Sequence, residues 1–115
     1  MAEDRDNARL KTLAQNIKKD PDDSFSKFAL ALEFNKRDQY DKARVLFESI
    51  RNNDPEYVGV YYHLGKTYEL LGLNQQAQIT YTEGIEIASS NNAKERTVSE
   101  LKEALAELNM ELRND

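Results

Sequence analysis

The chain has 115 residues, 39% of them hydrophobic and 32% charged, with four glycines, two prolines, no cysteine and a net charge of −5. That size supports one domain around one core, and the abundance of Leu, Ala, Glu, Lys and Gln favours helix. Disulfides and thiolate chemistry are excluded, and an acidic chain in which no basic run exceeds two residues speaks against nucleic acid as a partner.

The first ten residues, MAEDRDNARL, do not combine a basic region with an apolar stretch, so a secretory leader is not expected there. Residues 6–19 then place Leu10, Leu13, Ala14 and Ile17 on one face at helical spacing, which predicts a leading helix. Asp20-Pro21 and Asp54-Pro55 follow, 34 residues apart. A proline suits the first turn of a helix and an aspartate before it can cap the exposed N–H groups, so each pair is expected to end one helix and open the next. After the polar connection SSNNAKER, Thr97-Val98-Ser99-Glu100 reads as a capping box with Thr97 as N-cap. Val98, Leu101, Leu105, Leu108 and Leu112 form an apolar stripe behind it, with Ala104 alongside and Lys102, Glu103, Glu107 and Glu111 on the solvated face. This predicts a terminal helix of about 15 residues. No window approaches the roughly 18 apolar residues of a membrane span, and the expected location is cytoplasmic.

A shift of 34 residues superimposes Leu30 on Leu64, Ala31 on Gly65, Phe34 on Tyr68, Ala43 on Ala77 and Phe47 on Tyr81. Large residues fall on large and small on small, as expected where two antiparallel helices approach closely only at small side chains. The run Tyr61-x2-Leu64-Gly65-x2-Tyr68, followed by Ala77-x3-Tyr81, resembles the tetratricopeptide repeat. The copy before it departs more: Lys27 stands for the expected aromatic, with Phe25 or Phe28 as candidates to fill its space, and Asp38 stands where the second copy has its turn glycine, Gly72. Ser89 stands in place of the closing proline of the second copy. The resemblance implies an all-α fold, a short α-solenoid of two antiparallel helix pairs, over helices 22–36 and 40–52 and then 56–71 and 75–90. The domain reading is a single unit over 1–115, with a leading helix in 1–21, repeats over 22–55 and 56–90, and a capping helix in 91–115. Repeats are stable only when stacked, so the flanking helices are expected to serve as the missing half-repeats.

Catalytic and metal chemistry find little support. His63 is the only histidine, too few soft ligands for zinc or copper, and no calcium-loop pattern occurs. Gly65-Lys66-Thr67 looks like the end of a phosphate loop, but Val60 stands where that loop needs glycine. No cofactor, no metal and no enzymatic activity are expected.

What remains is a surface for another protein. The resemblance implies that the first helix of each pair lines a concave groove. Beside the core stripe Tyr61, Leu64, Gly65 and Tyr68, this leaves Tyr62, His63, Lys66, Glu69 and Leu70 toward the groove or its rim. The matching set in the first repeat is Phe28, Ala29, Leu32, Asn35 and Lys36. Aromatic and aliphatic anchors beside a few polar groups suit a partner's peptide or amphipathic helix. The terminal helix could instead cover these side chains, since its own apolar stripe must pack somewhere. Family members that clamp the C-terminal carboxylates of chaperones use lysine and asparagine at places held here by Phe28, Leu32 and His63, so that specificity is not expected. The alternative function is self-association, a homodimer through the terminal helix or an open repeat end.

Overall fold

The helix-forming composition is realised in the computed structural model, which describes residues 2–114, as six helices and, among those residues, no strand. They are α1 (Ala2–Lys19), α2 (Ser24–Lys36), α3 (Tyr40–Asn53), α4 (Gly59–Leu70), α5 (Asn74–Ser90) and α6 (Glu95–Asn114). The aspartate–proline pairs open turns rather than helices. Asp20 accepts from the backbone N–H of Asp22 at 3.1 Å, and the Asp23 N–H returns to the Asp20 carbonyl at 3.0 Å. The N-cap of α2 is therefore Asp23, whose carboxylate accepts from the Ser26 N–H at 3.0 Å and from its hydroxyl at 2.6 Å. At the second pair the Tyr57 N–H closes on the Asp54 carbonyl at 3.0 Å. This turn delays α4 to Gly59, three residues later than the expected start at 56.

Three helix ends stop by one device. Asp38 (φ 60°), Gly72 (φ 76°) and Asn92 (φ 54°) adopt the left-handed conformation. The N–H of the next residue then reaches back five positions: Gln39 to Phe34, Leu73 to Tyr68 and Ala93 to Ala88, at 2.8–3.0 Å. This is the Schellman closure, open to glycine and tolerated by Asp and Asn. It also corrects the capping box at Thr97. Because Asn92 reverses the chain two residues after α5 ends, α6 starts at Glu95, and the Lys94 carbonyl takes the Thr97 and Val98 N–H groups. Glu100 accepts from Arg96 Nε at 3.2 Å rather than reaching back to Thr97.

The pairing of α4 with α5 is reciprocal. A Cβ on Gly65 would overlap the Tyr81 ring, and a Cβ on Gly84 would lie 2.5 Å from Tyr61 Cβ. Each helix thus supplies one tyrosine and the bare backbone that receives its partner's. In the α2–α3 pair the second of these contacts is inverted in size, with Lys27 in place of Tyr61 and Ile50 in place of Gly84. Phe25 does not fill the space left by the missing aromatic, and Phe28 lies against Phe47, Tyr57 and His63. Phe25 is 71% exposed, while Lys27 is itself buried at 6%, its ammonium donating to the Ser49 hydroxyl at 2.9 Å. A long alkyl stem with a polar tip does the work of an aromatic ring here.

One core runs from α2 to α6, with Ala31, Phe47, Ile50, Tyr61, Leu64, Tyr81, Leu101 and Leu108 at its centre. A smaller cluster, Leu13, Ala29 and Leu30 flanked by Leu10 and Ile17, joins α1 to α2; Ala14 stays exposed. The terminal helix packs chiefly on α5 and also touches α4, so it continues the stack and does not lie across the earlier pairs. Phe28 and Asn35 of α2 meet His63 and Thr67 of α4, and α4 meets α6. Successive first helices therefore touch along one side of the array, the side that lines the concavity in stacked helix pairs. Its inner side is lined by α2, α4 and α6.

Candidate functional site on the concave face

The inner side is built on a chain of rings. Phe28 of α2 lies with its centroid 5.3 Å from Tyr57, 5.3 Å from His63 and 5.8 Å from Phe47. His63 of α4 stacks on Phe47 at 6.1 Å and meets Tyr62 edge-on at 5.4 Å. Helical spacing makes this possible, since neighbours 62 and 63 point to adjacent stripes, one toward α6 and one toward α2. Burial among rings pushes the imidazole pKa down, with Glu100 pulling weakly the other way, so His63 is neutral near pH 7. Among the described residues its ring makes no hydrogen bond, and no nucleophile is paired with it.

The polar candidates separate into struts and rim. The Asn35 amide donates to the Thr67 hydroxyl at 3.0 Å, which donates to the His63 carbonyl at 2.7 Å, tying α2 to α4. Glu69 accepts the Tyr81 hydroxyl and so holds α4 to α5. Lys36 is exposed and lies 3.5 Å from Glu33 at the rim. Leu32 is half-buried against the main core, Ala29 belongs to the α1 contact, and Leu70 is exposed. Lys66 holds its ammonium 5.7 Å above the Tyr62 ring and 3.8 Å from Glu69.

Between α4 and α6 the inner side opens into a cleft of about 90 Å³, lined by Tyr62, Lys66, Glu100, Glu103, Ala104 and Glu107. Phe28 and Tyr62 occupy equivalent positions. The first is covered by the His63 ring of the following helix. The second lines the open cleft together with Ala104.

Comparison with solved structures decides the family. A tetratricopeptide repeat domain protein from Salinibacter ruber, in its crystal structure, is 42% identical over 76% of this chain and 96% of its own, with a TM-score of 0.71. Its solution structure matches at 44% identity over 77% of this chain and 89% of that one, again with a TM-score of 0.71. The chain belongs to the tetratricopeptide repeat family. A Bordetella parapertussis protein shares the fold at a TM-score of 0.75 and 24% identity, covering 89% of this chain and 88% of its own. No family model matches the chain, and no curated protein does.

As a tetratricopeptide repeat protein, the chain falls among modules whose general role is protein–protein interaction. Among its described residues no helix is long and apolar enough to cross a membrane. Five of the eight residues singled out from sequence, Phe28, Leu32, Tyr62, His63 and Lys66, sit on or beside the ring chain, while Asn35 and Glu69 brace the helices and Lys36 stays at the rim. Sequence reasoning missed Tyr57, which lies in the loop before α4, and the α6 wall. Glu100, Glu103, Ala104 and Glu107 recur at i, i+3, i+4 and i+7, a visible stripe. It reads as a solvated face unless α6 is known to line the concavity.

Proposed function

We propose that this tetratricopeptide repeat protein binds a peptide or helical segment of a partner protein along the inner face of α2, α4 and α6. The observation that supports the reading is the line of half-buried rings, Phe28, His63 and Tyr62, running across two successive first helices and ending in an open cleft. Aromatic anchors on a rigid helical frame are the residues that most often carry binding energy. Self-association through α6 is the less favoured reading, because Leu101, Ala104 and Leu108 are spent inside the chain on its own core.

NMR titration with peptides selected by display on the intact chain tests the proposal. Shifts should concentrate on Phe28, Tyr62, His63 and Lys66, and Phe28→Ala or Tyr62→Ala should weaken binding. Binding indifferent to both substitutions would move the site elsewhere on the molecule. Light scattering over a concentration series tests the alternative, which predicts growth beyond the 13.3 kDa monomer.

A further inference from the structure

The cleft beside Tyr62 carries information about the partner's chemistry. Its α6 side presents three carboxylates on one stripe, Glu100, Glu103 and Glu107. Glu100 is engaged by Arg96 at 3.2 Å, but Glu103 and Glu107 have no ion-pair partner among the described residues. The opposite side is the Tyr62 ring, and the chain's own Lys66 already holds a cation over it at 5.7 Å. An aromatic face opposed by carboxylates is the combination that receives an ammonium or guanidinium group. The repeat supplies an internal control. At the equivalent junction, Phe28 is capped by His63 and Lys66 is replaced by Leu32, so the first junction is apolar and closed while the second is acidic and open.

We propose that the α4–α6 cleft takes an arginine or lysine side chain from a basic partner segment lying along the inner face. The stem of that side chain would lie on Tyr62 and its charge between Glu103 and Glu107. The inference rests on the concave-face reading and adds the sign of the partner. Charge complementarity carries it: the ring chain offers apolar contact toward α2, and among the described residues Glu103 and Glu107, which line the cleft at the α6 end, have no ion-pair partner.

Fluorescence anisotropy with labelled peptides tests it on the full chain. The probes are a short peptide of alternating arginine and leucine, and counterparts with glutamate or glutamine replacing arginine. The arginine peptide should bind most tightly. Glu103→Gln/Glu107→Gln should weaken it about tenfold, the loss expected for removing charge-assisted bonds. Both side chains are exposed, so this variant should fold normally. Glu83→Gln/Glu86→Gln on α5 removes the same charge from outside the cleft and should leave binding intact. Equal loss in the two double variants would assign the effect to bulk charge and overturn the proposal. So would a glutamate or glutamine peptide that binds as tightly as the arginine one. If such a peptide is lost on Tyr62→Ala, the concave face stands and only the basic partner falls. If no peptide responds to Phe28→Ala or Tyr62→Ala, the concave-face reading falls as well.

Discussion

An added methyl group at Gly65 or Gly84 has nowhere to go, because each faces the body of a buried tyrosine across the α4–α5 seam. Gly65→Ala should destabilise the protein by about 1–3 kcal/mol, the usual cost of overpacking, read as a lower urea midpoint. Gly72→Ala meets open space but keeps φ at +76°, so its smaller cost, about 1 kcal/mol, comes from the backbone alone. Tyr61→Ala should cost on the order of 3 kcal/mol, since it empties the place opposite Gly84 and removes a hydrogen bond donated to the Pro55 carbonyl. Two titrations contribute to the pH dependence of stability. The folded state holds His63 below its ordinary pKa of 6.5, so the unfolded chain binds the extra proton. Stability is therefore full above about pH 6.5 and falls as pH drops through the window beneath it. Burial and the bond it donates to Glu48 push the Tyr68 hydroxyl from 10.0 up to about 12, so its contribution is lost as pH rises between those values. Thermal melts across pH should show both limbs, with His63→Gln flattening the acid one and Tyr68→Phe reducing the alkaline one. Size complementarity at positions 31/65, 43/77 and 47/81 was legible in the chain. The burial of Lys27 was not, because a charged residue reads as exposed until Ser49 is seen beneath its ammonium.

Elements are defined here by how they end. The α2–α3 and α4–α5 hairpins share a left-handed residue at Asp38 and Gly72 with the same backward hydrogen bond, so their turns are equivalent despite different residues. The glycine among these was recognisable from sequence. Asn92 was not, since nothing local distinguishes it from the other polar residues of SSNNAKER, and the start of α6 moved with it. The terminal helix buries Leu101 and Leu108 completely or nearly so, each contributing roughly 1.5–3 kcal/mol. Truncation after Ser90 should accordingly lower the melting temperature sharply by circular dichroism, and an unchanged melt would rule out a capping role for α6.

Across the whole molecule the core is unevenly distributed. It is continuous from α2 to α6, while among the described residues α1 is held by a smaller cluster, Leu10, Leu13 and Ile17 against Ala29, Leu30 and Leu46, with Arg9 3.8 Å from Glu33. Hydrogen exchange should therefore find the slowest amides in α3, α4 and α5 and the fastest helical ones in α1, because local opening follows the buried contacts each helix makes. Uniform protection across all six helices would contradict this gradient. The sequence by itself determined the helical class, the 34-residue repeat and the size-matched packing residues at its equivalent positions. Side-chain size at fixed spacing is what lets two helices approach, and that information is local. Tertiary structure alone decided the curvature, the placement of α6 as a third inner helix, and hence the turning of Glu100, Glu103 and Glu107 toward Tyr62. Those features depend on small rotations accumulated from one helix pair to the next, which no local run of residues encodes.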